Sequence, residues 1–271
     1  MINLQNLHTH STYCDGKDSP EEMIERAIEK GFGSIGFSGH SYMPFAPTRS
    51  MSAKGTVEYK KEILRLKDKY RGKIDIYLGL ELELYSSEDI SGYDYVIGSC
   101  HYFKFDDGHV GFDRSVEEVQ RVIDTRFGGD GMAFAKKYYE TVAELPTRGK
   151  IDIIGHFDLI TKTCEKNPVF DMESKEYLDL AFGAIEGLKG RIPFFEVNTG
   201  AISRGYRTSP YPTVPVLKEL KRQGFGAVIS SDCHDWRNLD CHFEESRQLL
   251  RDAGFKERYI LTDSGFCAVE I

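Results

Sequence analysis

Two hydrophobic periods alternate along this chain. Short runs rich in β-branched and aromatic residues fall at 3–8, 34–37, 74–84, 94–102, 152–156, 192–198 and 226–231, and their length and composition predict strands. Between them, apolar residues recur every three or four positions at 20–30, 57–70, 116–127, 132–144, 174–188, 213–223 and 244–253, which predicts amphipathic helices. Ser19-Pro20-Glu21-Glu22 offers a capping hydroxyl, a proline fitted to a first turn, and acids at the positive end of the helix dipole. Gly31 and Gly254 stand where helices should stop. A last pair of runs, 259–261 and 265–269, predicts a closing strand or hairpin.

Strands separated by helices imply parallel pairing through right-handed crossovers. About seven such units in 271 residues predict a closed or nearly closed α/β barrel, although an open doubly wound sheet has the same alternation. No Gly/Ser or proline tract interrupts the pattern, so residues 1–271 are expected to form a single domain. Both folds place ligand sites beyond the carboxyl ends of the strands, and that rule selects the residues to inspect.

Six of the eight histidines lie there. His8 and His10 end the first predicted strand, His40 follows the second, His101 and His156 end the fourth and fifth, and His234 follows the seventh. His109 and His242 lie elsewhere and are expected to be ordinary core or surface residues. Acids occupy matching places: Asp15 in the turn after the first strand, Glu81 inside an otherwise apolar strand, and Asp232 beside His234. A buried carboxylate costs several kcal/mol unless it is paired or bound to a cation. Residues two apart on a strand share a face, so His8 with His10, and Asp232 with His234, can address one cation or two adjacent ones. Imidazole and carboxylate ligands suit zinc, iron or manganese. Cys100 and Cys233 have the opposite parity and are expected to face away as packing residues. Glu83 shares the parity of Glu81, so spacing alone does not choose between them.

Charge and composition narrow the chemistry. The net charge of −8 gives no basic face for nucleic acid, and the apolar runs are far shorter than the roughly 18 residues of a membrane helix. Six cysteines without a CxxC pair read as reduced thiols. With no charged leader before an apolar run, a soluble, cytoplasmic protein is expected, with neither nucleic acid nor membrane as partner. The segment 198–207 follows the sixth strand and carries Arg204 and Arg207; guanidinium matches phosphate in bidentate fashion, so both are candidate phosphate ligands. Lys162, after the fifth strand, is a third.

In order along the chain, His8-Thr9-His10-Ser11, Asp15-Gly16, Gly39-His40, Gly79-Leu80-Glu81, Ser99-Cys100-His101, Gly155-His156 and Ser231-Asp232-Cys233-His234 resemble the motifs of the polymerase and histidinol phosphatase (PHP) superfamily. The segments 39–45 and 196–199 resemble its monofunctional histidinol-phosphatase branch. The resemblance implies a distorted, TIM-like barrel of seven strands with a centre of two to three divalent ions (Zn, Fe or Mn) at the strand carboxyl ends. His8, His10, Glu81 and Asp232 would hold one ion, Asp15, His40 and His234 a second, and Glu81 would bridge to a third held with His101 and His156. Asp232, His234 and Glu81 would carry catalysis. The reaction expected is hydrolysis of a small phosphate monoester, L-histidinol phosphate in histidine biosynthesis, through a metal-bridging hydroxide. Asp232 or a metal-bound water would protonate the leaving alkoxide; Asp158, Glu83 or another acid would meet the substrate ammonium, and the sequence does not choose among them. Rival readings keep the metals and change the substrate to a nucleotide or phosphotyrosine, or make the chain a non-catalytic metal-stabilised module.

Overall fold

The computed structural model describes residues 4–271, so the predicted beginning of the first strand at Asn3 lies outside the described residues. Seven strands form one sheet: β1 (Gln5–Asn6), β2 (Ser34–Phe37), β3 (Asp75–Glu83), β4 (Tyr95–Ser99), β7 (Ile153–Ile154), β8 (Phe194–Asn198) and β9 (Gly226–Ser230), hydrogen-bonded in that order. Every neighbouring pair is parallel. Two hairpins complete the strands, β5 (Tyr102–Phe105) with β6 (Gly108–Gly111), and β10 (Glu257–Thr262) with β11 (Gly265–Glu270). The helices are α1 (Pro20–Glu29), α2 (Ala53–Lys69), α3 (Val116–Phe127), α4 (Gly131–Ala143), α5 (Lys175–Leu188), α6 (Gly200–Ser203), α7 (Val214–Gln223) and α8 (Phe243–Asp252).

The sheet closes on itself just beyond its outermost strands. Thr9 bridges Cys233 in parallel, with His10 N–H donating to Cys233 O at 2.8 Å and Cys233 N–H to His8 O at 3.0 Å. Closure occurs at the carboxyl end of the strands, and with β1 and β7 only two residues long the barrel is a distorted one.

Parity along β3 shows how the strands are used. Ile76, Leu78, Leu80 and Leu82 join the outer core under the helices, whereas Tyr77 packs inside the barrel with Leu7, Tyr95, Ile97, Ile153 and Val228. Glu81 and Glu83 therefore continue the inward face of the strand, above that apolar floor. Cys100 and Cys233 are buried in the outer core, as their parity predicts. The β10–β11 hairpin covers the opposite end: Leu261 joins the inner cluster, Phe266 stacks near Phe194 at 4.5 Å, and Gln5 exchanges hydrogen bonds with Leu261 at 2.8 and 2.7 Å.

Local chemistry explains the helix boundaries. Ser19 and Glu22 form a reciprocal capping box at α1, and Gly31 beyond it takes φ 79°. Helix α2 begins earlier than its apolar pattern, because Ser52 caps Gly55 N–H before the first apolar residue appears. The predicted strand 94–102 divides after Ser99: the hydrophobic run continues, but the parallel ladder stops and β5 turns away to pair with β6. No helix of the described residues is long and apolar enough to cross a membrane.

Candidate metal centre

Nine side chains from seven places in the sequence meet at the carboxyl end of the barrel. Glu81 is the hub. Its Oε2 lies 3.4 Å from His8 Nε2, 3.4 Å from His10 Nε2 and 2.8 Å from His40 Nδ1. Its Oε1 lies 3.1 Å from His156 Nε2 and 3.4 Å from His101 Nε2. Asp15 Oδ1 faces His234 Nε2 at 3.2 Å and His40 Nε2 at 3.6 Å. Asp232 Oδ1 faces His10 Nε2 at 3.3 Å and His8 Nε2 at 3.8 Å. Asp232 reaches this position with φ 47°, a left-handed backbone that non-glycine residues seldom adopt outside turns and functional sites.

Ligand atoms from four overlapping sets lie within 4.8 Å of one another: His8, His10 and Asp232; His10, Asp15, His40 and His234; His8, Glu81 and His156; and His40, Glu81 and His101. The first set holds the expected His8, His10 and Asp232 without Glu81, and the second adds His10 to the expected Asp15, His40 and His234. Around Glu81, His156 gathers with His8 and His101 with His40, and the two rings meet at Nε2 to Nε2, 3.2 Å.

A divalent ion fits this cluster for a reason visible in the atoms themselves. His8 Nε2, His10 Nε2, His40 Nε2, Asp15 Oδ1 and Glu81 Oε2 are buried and make no hydrogen bond. Buried polar atoms are almost always satisfied, and five unsatisfied donors of electron pairs aimed at one another need a shared cation. Protonation agrees. Burial alone would raise the Glu81 carboxyl, but His40, His8 and His101 hold it well below the usual carboxylate range. Asp232 is likewise held down against burial, by Arg204 and His8. Burial and the neighbouring His234 and His40 hold His10 down to about 3, which leaves it neutral at pH 7. Anionic carboxylates and neutral imidazoles are the forms that ligate metals; against burial, Glu196 and Glu81 raise His8, and Glu81 and Glu83 raise His101 to about 9, so an ion binding there displaces protons.

A second ring of contacts orients the first. His8 Nδ1 meets Glu196 Oε2 at 2.9 Å, and His101 Nδ1 meets Glu83 Oε2 at 3.0 Å. Glu83 thus stands behind a histidine, with its own backbone neighbour His101 N–H also donating to it. His10 Nδ1 lies 3.4 Å from the Cys14 thiol.

The centre opens into a pocket of about 170 Å³ lined by cations as well as by the cluster: Arg49, Lys162 and Arg204, with Asp113 among them. Arg204 Nη2 donates to Asp232 Oδ2 at 2.8 Å, and Nη1 to Asp232 O at 3.1 Å. Arg49 makes a two-point pair with Asp113, at 2.9 and 3.4 Å, and its Nε lies 3.8 Å from Asp15 Oδ2. Lys162 donates to the Asp113 backbone carbonyl, and burial lowers its pKa. Arg207 is placed differently: it is buried behind the pocket, bonded to Thr161 and Ser209, with its guanidinium 4.7 Å from the Tyr211 ring centroid. Asp158 is buried in the same region and accepts from Thr213 N–H at 2.7 Å. His109 stacks on Phe45 in the β5–β6 hairpin and His242 pairs at the surface with Glu245, so neither joins the cluster. Sequence reasoning missed Arg49, Asp113 and Glu196. Glu196 carried the same signal as Glu81, an acid inside an apolar strand, whereas Arg49 and Asp113 sit in loops with no periodicity to mark them.

Comparison with known proteins accords with this geometry. A Deinococcus radiodurans protein named "Probable histidinol-phosphatase" is 29% identical over 94% of this chain and 95% of its own length. The Bacillus subtilis histidinol-phosphatase is 27% identical over 88% of this chain and 96% of its own. The crystal structure of Lactococcus lactis histidinol phosphate phosphatase, complexed with zinc, L-histidinol and phosphate, shares the fold with a TM-score of 0.68 at 21% identity, covering 98% of this chain and 99% of that one. The PHP domain family matches residues 6–200, which contain seven of the nine clustered side chains, and the chain belongs to that family.

Proposed function

We propose that this chain, acting as a single domain, hydrolyses L-histidinol phosphate to L-histidinol and phosphate at the Glu81-centred cluster, with two to three divalent ions held there. The observation that carries the reading is the set of buried, unpartnered ligand atoms opening directly onto a pocket with an arginine at its wall. The full-length match to histidinol-phosphatases supports the substrate, as does the Lactococcus structure with its zinc, L-histidinol and phosphate.

His8, His10, Asp15, His40, Glu81, His101, His156, Asp232 and His234 would hold the ions, with Glu81 spanning both sides of the cluster through its two oxygens. Bound divalent ions supply an activated water and neutralise charge on the phosphoryl oxygens. The protein does the rest. Arg204 presents its guanidinium at the pocket wall, where it can donate to phosphoryl oxygens in bidentate fashion while Asp232 fixes its plane. Lys162 and Arg49 add positive charge to the pocket lining.

The test is phosphate release from L-histidinol phosphate, beside AMP and phosphotyrosine, with and without chelator. Fast, chelator-sensitive release from histidinol phosphate is the expected result. Chelator-sensitive release only from another ester would move the substrate, and no release from any by metal-loaded protein would end the catalytic reading.

A further inference from the structure

Glu196 has no place in the reaction as described, yet its carboxylate is held by four separate groups in the barrel. It lies on the inward face of β8, wholly buried, with no lysine or arginine in contact. A buried carboxylate in that position must be satisfied by hydrogen bonds. Four groups provide them. His156 N–H donates to Oε1 at 2.6 Å and Asn198 Nδ2 to Oε1 at 2.7 Å. Ser230 Oγ donates to Oε2, and His8 Nδ1 meets both oxygens at 2.9 and 3.1 Å.

We infer that Glu196 is a positioning residue that fixes His8 as the Nδ1–H tautomer and locks it in one frame with His156, so that His8 presents its bare Nε2 to a metal ion. This rests on the metal-centre reading above. The direction of the argument is set by the surrounding donors. Because a backbone N–H, an amide and a hydroxyl already point at Glu196, it acts as an acceptor toward them, and an ionised carboxylate can only accept from His8 as well. The proton on His8 therefore resides on Nδ1. Its Nε2, buried and without a hydrogen-bond partner, is then the nitrogen left to offer a lone pair to an ion in the gap between Glu81 and Asp232. Carboxylates behind metal-bound histidines orient the ring and strengthen the ligand. The shared contact with His156 N–H adds something specific to this chain: one carboxylate ties a ring near Asp232 to the strand end that carries His156, on the other side of Glu81.

Glu196→Gln tests this with little change of volume. Oε1 receives a backbone N–H that cannot turn, so the amide NH₂ must occupy the Oε2 position, facing His8 Nδ1. That favours the Nε2–H tautomer, which cannot ligate through Nε2. Metal-free wild-type and variant proteins would be titrated with zinc against a chromophoric competing chelator. Zinc affinity is expected to fall about 10- to 100-fold in the variant, while the metal-free far-UV circular dichroism is unchanged. Ser230→Ala, which keeps the carboxylate, should fall less. A folded Gln variant that binds zinc as tightly as wild type overturns the inference. If the variant does not fold, nitrogen-15 NMR of zinc-loaded wild type decides, with the His8 ring assigned by its loss in His8→Asn: a proton on Nδ1 supports the inference and a bare Nδ1 overturns it. Wild-type protein that takes up no zinc would instead sink the metal-centre reading itself.

Discussion

Arg204 and Asp232 are joined twice, side chain to carboxylate at 2.8 Å and side chain to backbone carbonyl at 3.1 Å, and the pair lines the pocket beside the histidine cluster. The carboxylate thus has two jobs, one oxygen toward the histidines and the other holding the arginine. Replacing Arg204 with Ala should lower kcat/KM for the phosphate ester by about 10²- to 10³-fold, the scale for losing a preorganised charge donor. Arg204→Lys should recover little of it, since an ammonium lacks the two-point geometry. Steady-state kinetics with zinc content measured in parallel would check this; unchanged kcat/KM in Arg204→Ala would remove the arginine from the phosphate site.

Gly200 makes that pair possible. A Cβ there would lie 2.7 Å from Arg204 Nη2 and 2.8 Å from Asp232 Cβ, closer than real Cβ contacts allow. Gly200→Ala must push the guanidinium or the carboxylate aside, and kcat/KM should fall by at least about tenfold through misplacement alone. The melting temperature should move by only a few degrees. An alanine variant with full activity would mean that the arginine is free to relocate.

Metal removal should be visible in stability as well as in rate. A ligand present at a thousand times its dissociation constant adds about 4 kcal/mol to a folded protein. For a chain of this size that corresponds to a rise in Tm of roughly 8–16 °C. Differential scanning calorimetry with zinc and with chelator would measure it, and coincident transitions would argue against a native-state metal centre.

Asp113 sets an acid-side dependence. Burial would raise its pKa, but Arg49 and Lys162 hold it well below the ordinary carboxylate value. A group depressed on folding contributes stability that is present above its unfolded pKa, about 3.9, and is lost as pH falls further toward the folded value. Asp113→Asn should therefore cost about 1–3 kcal/mol at pH 7, discounted because Arg49 remains partly exposed. The difference from wild type should shrink below about pH 4. Urea unfolding of chelator-treated protein at pH 7 and pH 3.5 would show it; a gap that widened in acid would contradict the assignment.

Much of the centre was legible because a barrel turns sequence position into spatial position. A histidine just past each strand needs only parallel pairing to reach the same end as the others, and Glu81 betrayed itself as an acid on an inward parity. What could not be read depended on contacts without a period. Arg204 and Arg207 stand three residues apart in one loop, yet only Arg204 lines the pocket, while Arg207 turns back to Thr161 and Tyr211. Arg49 enters from a loop whose course is fixed by its own pairing with Asp113, 64 residues away. The choice between Glu81 and Glu83 also fell outside the spacing, because both face inward; depth along the strand decides it, with Glu83 one step further out against His101.

The closing bridge between Thr9 and Cys233 has a consequence for the order of events at the ribosome. His8 and His10 are translated well before their partners Asp232 and His234, which follow the last barrel strand, and Gln5 waits for Leu261, 256 residues on. Contacts this distant make late, slow steps of folding. The early histidines must therefore travel through synthesis as loose potential ligands. Any ion they gather before β9 arrives is held by an incomplete set, open to exchange until the ring is shut.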